Sequence, residues 1–152
     1  KFDSTATGTF PSVIGETGLG QTTYFEQEVG TNQVNPDGTS TAIAGTLESY
    51  DFDLGDYFQK AGAGTFYLSI SRFLPDFKTL AGNATVTLNL KRFPSSTATT
   101  SVYSPFTVTS SSTQFNTRAR GRFASVKIQN SAVDETWRFG TMRLDLQPDG
   151  MR

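Results

Sequence analysis

The sequence predicts an all-β fold, an antiparallel β-sandwich of jelly-roll-like or immunoglobulin-like type with an extended N-terminal arm. Threonine, serine, glycine and phenylalanine dominate the composition, and they favour strands and turns over helices. Apolar and polar residues alternate from residue 65 onward, whereas no window repeats with helical period over three turns. Polar turn clusters separate these alternating runs at short intervals, which is typical of sandwiches and barrels.

The alternating runs predict individual strands. The clearest strand begins at Ala84, where Val86, Leu88 and Leu90 should share one face. Pro75 should kink an edge strand, since proline donates no ladder hydrogen bond. We also expect the arginine-rich segment 118–128 and segment 136–152 to pair as a hairpin that closes the domain. The predicted strands span residues 65–73, 84–93, 103–109, 123–129 and 136–146.

The chain divides into two predicted parts. Residues 1–45 are rich in loop-forming residues, with one plausible strand over 23–29, and should form the arm or the end of a preceding domain. Residues 46–152 should form the sandwich. A chain of 152 residues can bury about 70% of its unfolded surface, so it needs no disulfide or metal. Because Lys1 rather than Met stands first, we expect a processed product or part of a longer chain.

The composition excludes several classes of catalytic site. The chain contains no cysteine and no histidine, which removes thiol nucleophiles, Ser-His-Asp triads and the commonest transition-metal ligands. No apolar run approaches the roughly 20 residues of a membrane span. We therefore expect a non-enzymatic protein with no catalytic residue, cofactor, metal or membrane span.

Charge is distributed unevenly along the chain. Residues 1–77 carry three basic residues and ten acids, for a net charge of −7, and residues 78–152 carry ten basic residues and four acids, for +6. The two halves could neutralise each other within one fold, or acidic and basic sides could join copies head to tail. A nucleic-acid surface is disfavoured by the isoelectric point of 5.3.

A row of three arginines is the candidate contact surface. Arg118, Arg120 and Arg122 should lie on one face of an extended segment, about 6.6 Å between neighbours. They require carboxylates opposite, either within the domain or in a subunit interface, where arginine binds carboxylates bidentately. The carboxylates that could neutralise the row within the domain are Asp51, Asp53 and Asp145.

Segment 51–56 spaces its aspartates like the start of a calcium-binding loop. The glycine and the terminal glutamate of such a loop are out of place, however, so we interpret the segment as a strand. Phe52 and Leu54 should then point inward, while Asp51 and Asp53 point outward and contribute to the candidate interface.

Trp137, the only tryptophan, is the candidate core anchor. Exposed instead, it could stack on a sugar, so a carbohydrate-binding sandwich module is the alternative function. A hydrolase with paired carboxylates would need two acids about 5–9 Å apart, and no spacing in the sequence selects such a pair.

Several short motifs resemble the C-terminal region of large virion structural proteins of tailed bacteriophages. The resemblance covers most of the chain after Tyr24. The motifs are Glu28-Val-Gly, Pro36-Asp-Gly-Thr, Glu48-Ser-Tyr-Asp-Phe-Asp-Leu-Gly-Asp, Phe73-Leu-Pro-Asp-Phe, Arg118-Ala-Arg-Gly-Arg-Phe-Ala, Trp137-Arg-Phe-Gly, Arg143-Leu-Asp and Pro148-Asp-Gly-Met-Arg.

The resemblance implies a tail, nozzle or hub component that forms a ring. Its partners would be copies of itself and other tail or head–tail proteins, and its location would be the virion. The family supplies no catalytic residue, and its members are much longer than this chain. Under the alternative function, a phage domain of this type would contact glycans on the host surface.

Overall fold

The computed structural model describes residues 13–18, 21–26, 30–35, 37–55, 64–93 and 101–150. Within these residues the secondary structure consists of antiparallel strands. In chain order the strands are β1 (Val13–Gly18), β2 (Gln21–Glu26), β3 (Asn32–Val34), β4 (Ser40–Ala42), β5 (Gly45–Glu48), β6 (Leu68–Leu74), β7 (Phe77–Ala81), β8 (Ala84–Lys91), β9 (Ser101–Val108), β10 (Phe115–Gly121), β11 (Phe123–Asn130), β12 (Thr136–Phe139) and β13 (Arg143–Pro148).

Two sheets pack together around one core. The first sheet has the strand order β10-β6-β13 and the second has the order β5-β11-β8-β9. Apolar side chains from both sheets form one buried cluster, which confirms the predicted antiparallel sandwich. The largest fully buried side chains in this cluster are Phe73, Leu68, Ile70, Leu88, Ile128, Val86 and Val108.

The alternation in β8 is confirmed. Val86, Leu88 and Leu90 are buried and belong to the core cluster. On the other face of the strand, Asn89 donates hydrogen bonds to Glu48 at 3.1 Å and to Ser125 at 3.4 Å. The alternation of apolar and polar residues therefore determined which face of β8 points into the core, because the buried face of a strand must be apolar.

A long kinked ribbon runs through the first sheet. β6 continues into β7 through Pro75 and Asp76, while β12 continues into β13, and the two composite strands pair along their length. The Asp76 carbonyl accepts the Gly140 N–H at 2.8 Å where both composite strands bend. The predicted kink is confirmed, but β6 lies at the centre of its sheet and not at an edge.

The predicted closing hairpin is wrong. β11 pairs with β8 and β5, whereas β12 pairs with β7 and β13 with β6. The chain changes sheets at Arg122, whose N–H bonds the Lys91 carbonyl at 2.9 Å. β12 and β13 then follow the kinked ribbon, which offers them a longer partner than β11 does.

Four aromatic rings close one side of the sandwich between the edge strands β9 and β10. Phe73, Phe106 and Phe115 have ring centres 5.2–6.0 Å apart, and Tyr103 stacks on Phe106. The Tyr103 hydroxyl also accepts the Arg118 N–H at 3.3 Å. These contacts join the two sheets through ring packing at their edges.

Two small hairpins precede the sandwich. β1 pairs with β2, which confirms a strand over the described part of the predicted 23–29 strand, and β3 pairs with β4. Residues 1–12 and 27–29 of the predicted arm lie outside the described residues, as does Asp56 of the aspartate-rich segment. The division of the chain at residue 45 stays a prediction.

Candidate functional site

Two of the three predicted arginines project from β10. Exposed and inward residues alternate along this strand, so Arg118 and Arg120 lie on the outer, exposed face. Arg122 follows the end of β10 and is half-buried. Its Nη1 donates to the Gly64 carbonyl at 2.5 Å. The continuous exposed row of three is therefore corrected to a pair, Arg118 and Arg120, followed by an arginine that binds the neighbouring loop.

Arg120 forms an ion pair within the domain, with a partner that the sequence did not indicate. Its Nε donates to the Asp149 carboxylate, and its Nη2 donates to the Asp149 carbonyl at 3.1 Å. The expected partners are engaged elsewhere, because Asp51 binds Lys91 and Asp145 binds Arg72, each at 2.6 Å.

Asp53 is buried, which corrects its predicted outward orientation. The residue is 6% exposed, and its carboxylate accepts the backbone N–H groups of Gly55, at 2.9 Å, and Gly64. A buried carboxylate is tolerated when such hydrogen bonds replace its hydration. Asp53 therefore holds a loop together and is removed from the candidate interface. Asp51, in contrast, is exposed as expected.

Tyr67 lies at the centre of the arginines. The guanidinium carbons of Arg120 and Arg122 are 4.2 and 4.7 Å from its ring centre, within the range of cation–π attraction. Hydrogen bonds from Arg122 and then Arg92 lower the pKa of the Tyr67 phenol, because cations favour the phenolate. The ring is only 8% exposed, whereas Arg92 and Arg120 are exposed.

Three chain segments meet at this site because of the sheet register. Tyr67 exchanges backbone hydrogen bonds of 2.8–2.9 Å with Asp149 and Gly150, at the end of β13. The Arg122 N–H bonds the Lys91 carbonyl, which places Arg92 beside the turn. We call this site the arginine pole. It consists of Tyr67, Arg92, Arg120, Arg122 and Asp149.

Sequence reasoning missed Tyr67, Arg92 and Asp149. Arg92 lies near the end of the predicted strand 84–93, and Tyr67 lies near the start of the predicted strand 65–73, but nothing in the sequence joined these two ends. The pairing of Phe123 with Lys91 was the missing information, because it brings these strand ends together.

The opposite end of the second sheet is acidic. β11 separates the two ends by eight residues, or about 26 Å. Beyond it, Glu135 accepts the N–H groups of Ala132, Ser131 and Asn83 at 2.9–3.2 Å. These backbone donors, with that of Ala132 first, lower the pKa of the Glu135 carboxyl.

The β3–β4 hairpin is attached to this acidic end. Asn32 exchanges two hydrogen bonds with Asp134, at 2.5 and 2.9 Å. Asp37 lies in the hairpin turn, where hydrogen bonds from Thr39 lower the pKa of its carboxyl. We call Asp37, Asp134 and Glu135 the acidic pole.

Trp137 packs against the core cluster while remaining half-buried. Its ring meets Phe77 edge-on at 6.3 Å, and its indole N–H bonds Asn130 at 3.0 Å. This placement fits the predicted anchor. The more exposed aromatic rings are those of Tyr50, 96% exposed, and Phe93, 61% exposed.

A pocket of about 270 Å³ is bordered by β7 and the turn after β9, with Asp76 and Lys78 among its lining residues. In the described part of the chain, no group of three acidic, histidine or cysteine residues could hold a metal ion. The same residues include no helix long and apolar enough to cross a membrane.

Comparison with known proteins adds no functional information. No protein-family model and no curated protein matches the chain. The two charged poles of the sandwich are therefore the basis for a functional hypothesis.

Proposed function

We propose that the chain is a non-catalytic structural component of a tailed-bacteriophage particle, in the tail, and that its copies assemble head to tail into a symmetric oligomer. The phage assignment rests on the sequence motifs described above. The mode of assembly rests on one observation, the separation of the arginine pole from the acidic pole by the length of β11.

Charge separation of this kind favours one orientation of neighbouring copies. Two arginine poles repel each other, as do two acidic poles, whereas unlike poles attract. Contact between unlike surfaces is heterologous, so it propagates until a ring closes. Guanidinium forks also match carboxylates geometrically, which adds orientation to attraction.

The acidic pole also offers apolar contact area. Val34 at the end of β3 and Ile43 directly after β4 are each 56% exposed, and Val133 beside Asp134 is 44% exposed. Exposed aliphatic area is a common component of interaction sites. Such a surface fits a subunit contact that combines ion pairs with apolar packing.

Arg118 borders the arginine pole, because it projects from the same exposed face of β10 as Arg120, and it provides the cleanest test. Its guanidinium has no hydrogen-bond or ion-pair partner among the described residues, whereas Arg120 is bound to Asp149 and Tyr67. Arg118→Glu should therefore preserve the fold and weaken assembly. Arg143→Glu is the matched control, because it makes the same charge change at an exposed arginine of β13 that belongs to neither pole.

Native mass spectrometry and electron microscopy would report the oligomer and its symmetry, and particle reconstitution would report incorporation into tails. A folded Arg118→Glu variant that assembles like the parent would contradict the use of this surface. A parent protein that stays monomeric at high concentration and joins no particle would contradict the proposed function.

A carbohydrate-binding module is the second candidate, favoured by the exposure of Tyr50 and Phe93. Aromatic rings that face solvent can stack on sugars, whereas Trp137 uses its indole N–H internally. Glycan-array binding that is lost in both Tyr50→Ala and Phe93→Ala would support this function. Binding unchanged in both variants, or absent from the parent, would exclude these rings as its site.

A further inference from the structure

We propose that the arginine pole is a carboxylate-binding site and that Asp37 of a second copy supplies the carboxylate. This inference rests on the proposed head-to-tail assembly and identifies the residues that meet in it. Arg92 would be the main receiving group, and the turn of the β3–β4 hairpin would be the inserted element.

The receiving side brings guanidinium groups close together. The guanidinium carbons of Arg120 and Arg122 lie 4.2 and 4.7 Å from one ring centre, so they are at most 8.9 Å apart. Arg92 adds a third guanidinium beside this pair, because the carbonyl of its neighbour Lys91 accepts the Arg122 N–H at 2.9 Å. Arg120 of this group is paired with Asp149, whereas Arg92 has no carboxylate partner among the described residues.

Arg92 is the group best placed to bind an incoming anion. It is exposed and has no carboxylate partner among the residues that the structure describes. Arg120, in contrast, is committed to Asp149. Since an arginine has five N–H donors in a planar fork, Arg92 can bind an incoming carboxylate bidentately.

Asp37 is suited to be the incoming group. One carboxylate oxygen, Oδ1, accepts the Thr39 N–H at 2.9 Å and the Thr39 hydroxyl at 2.6 Å. These bonds orient the carboxylate, while Oδ2 has no hydrogen-bond partner among the described residues. Within the acidic pole, Glu135 has both carboxylate oxygens occupied by backbone donors, so it is less available.

The hairpin turn is also preorganised for insertion. Asn35 donates hydrogen bonds to Thr39 and Thr41 at 2.9 and 2.7 Å, and Gly38 adopts a φ of +82°. A turn fixed by its own hydrogen bonds loses little conformational entropy on binding.

A second copy suits the site better than a nucleic acid does. The chain has a net charge of −1, so long-range attraction to a polyanion is weak. A second copy brings a localised carboxylate together with the exposed side chains of Val34 and Ile43.

Charge exchange between two variants tests the contact directly. Arg92→Glu and Asp37→Lys should each weaken self-association about 10- to 100-fold, the usual effect of losing a charged hydrogen bond. An equimolar mixture should recover the assembly, since one interface type is then native and the other has exchanged charges. Sedimentation velocity would report the species in each sample, and circular dichroism would confirm the folds.

Two milder substitutions control for local misfolding, because they remove the charge without reversing it. Asp37→Asn keeps an oxygen for Thr39 but removes the charge, and Arg92→Gln removes the guanidinium without introducing an acid. Both should weaken association in the same direction, and Lys78→Glu should leave it unchanged.

The outcomes separate the two proposals. Normal self-association of both charge-reversal variants, or no recovery on mixing, would overturn this inference and leave the proposed oligomer intact. A parent protein without self-association would overturn both. If self-association is weak in each variant by itself and is restored in the equimolar mixture, Arg92 and Asp37 are identified as the residues that contact each other.

Discussion

The indole N–H of Trp137 donates a hydrogen bond to Oδ1 of Asn130 at 3.0 Å. The same oxygen accepts the Gly45 N–H at 3.1 Å, and the Asn130 amide donates to the Glu135 carbonyl at 3.1 Å. One buried asparagine therefore joins the paired strands β5 and β11 of the second sheet to β12, which belongs to the separate β12–β7 sheet.

Removal of Asn130 should destabilise the domain more than removal of the indole N–H. Asn130→Ala deletes three hydrogen bonds at a residue that is 8% exposed, and it should cost about 2–4 kcal/mol. Trp137→Phe keeps an aromatic ring against Phe77 and should cost about 1 kcal/mol. Urea unfolding would measure both changes, and equal losses would contradict a central role for Asn130.

Two glycines should respond differently to a methyl group. Gly64 has a φ of +71°, and a Cβ there would lie 2.6 Å from the Phe123 ring, so Gly64→Ala combines strain with overlap. Gly38 has a φ of +82° but no neighbouring atom within 4 Å. We expect losses of about 2–5 kcal/mol for Gly64→Ala and about 1–2 kcal/mol for Gly38→Ala. Thermal unfolding would rank them, and a reversed order would contradict the packing at Gly64.

Stability should fall in acid partly because of Glu135. Since the pKa of its carboxyl is lowered in the folded state, the stabilisation is complete above the unfolded value of about 4.3. It is lost as the pH falls through the lower folded value. Glu135→Gln should therefore flatten the decline in unfolding free energy over this range. If the Glu135→Gln variant and the parent lose unfolding free energy equally as the pH falls, other carboxyl groups are responsible for the loss.

Tyr67 should ionise below the ordinary tyrosine value of about 10, because Arg122 and Arg92 lower the pKa of its phenol. An ultraviolet titration of phenolate should show this early component in the parent protein. Tyr67→Phe should remove it, and Arg92→Gln should move it to higher pH. Tyr50→Phe, at a ring that is 96% exposed, should leave the component in place.

Predictions from local patterns were successful where one strand face is buried. The alternation of Val86, Leu88 and Leu90 in β8 identified the core face, and Pro75 located the kink, because both signals depend on residues close in sequence. The predicted hairpin failed because nearness in the chain does not decide strand pairing. β11 pairs with β8, whereas β12 pairs with β7 and β13 pairs with β6.

The candidate site could be anticipated only in part. Arg118 and Arg120 were identified from their two-residue spacing, and Asp51 was expected to be exposed. The partners of these charges were not identified, since Arg120 meets Asp149 across the sheet and Asp51 meets Lys91 from β8. Asp53 differs from Asp51 in burial although both occupy alternate positions of one segment, because the Asp53 carboxylate accepts the backbone N–H groups of Gly55 and Gly64.

The sequence by itself determined the all-β class, the inward faces of the main strands, and the lack of histidine and cysteine chemistry. These properties follow from composition and period, which act locally. Only the tertiary structure decided which strand ends meet. It thereby placed Arg120 and Arg122 over the Tyr67 ring at one end of the sandwich and the acidic pole at the other. The physical reason is that strand pairing and register depend on how whole sheets fit together. The positions of the charged side chains are then fixed by the strands to which they belong.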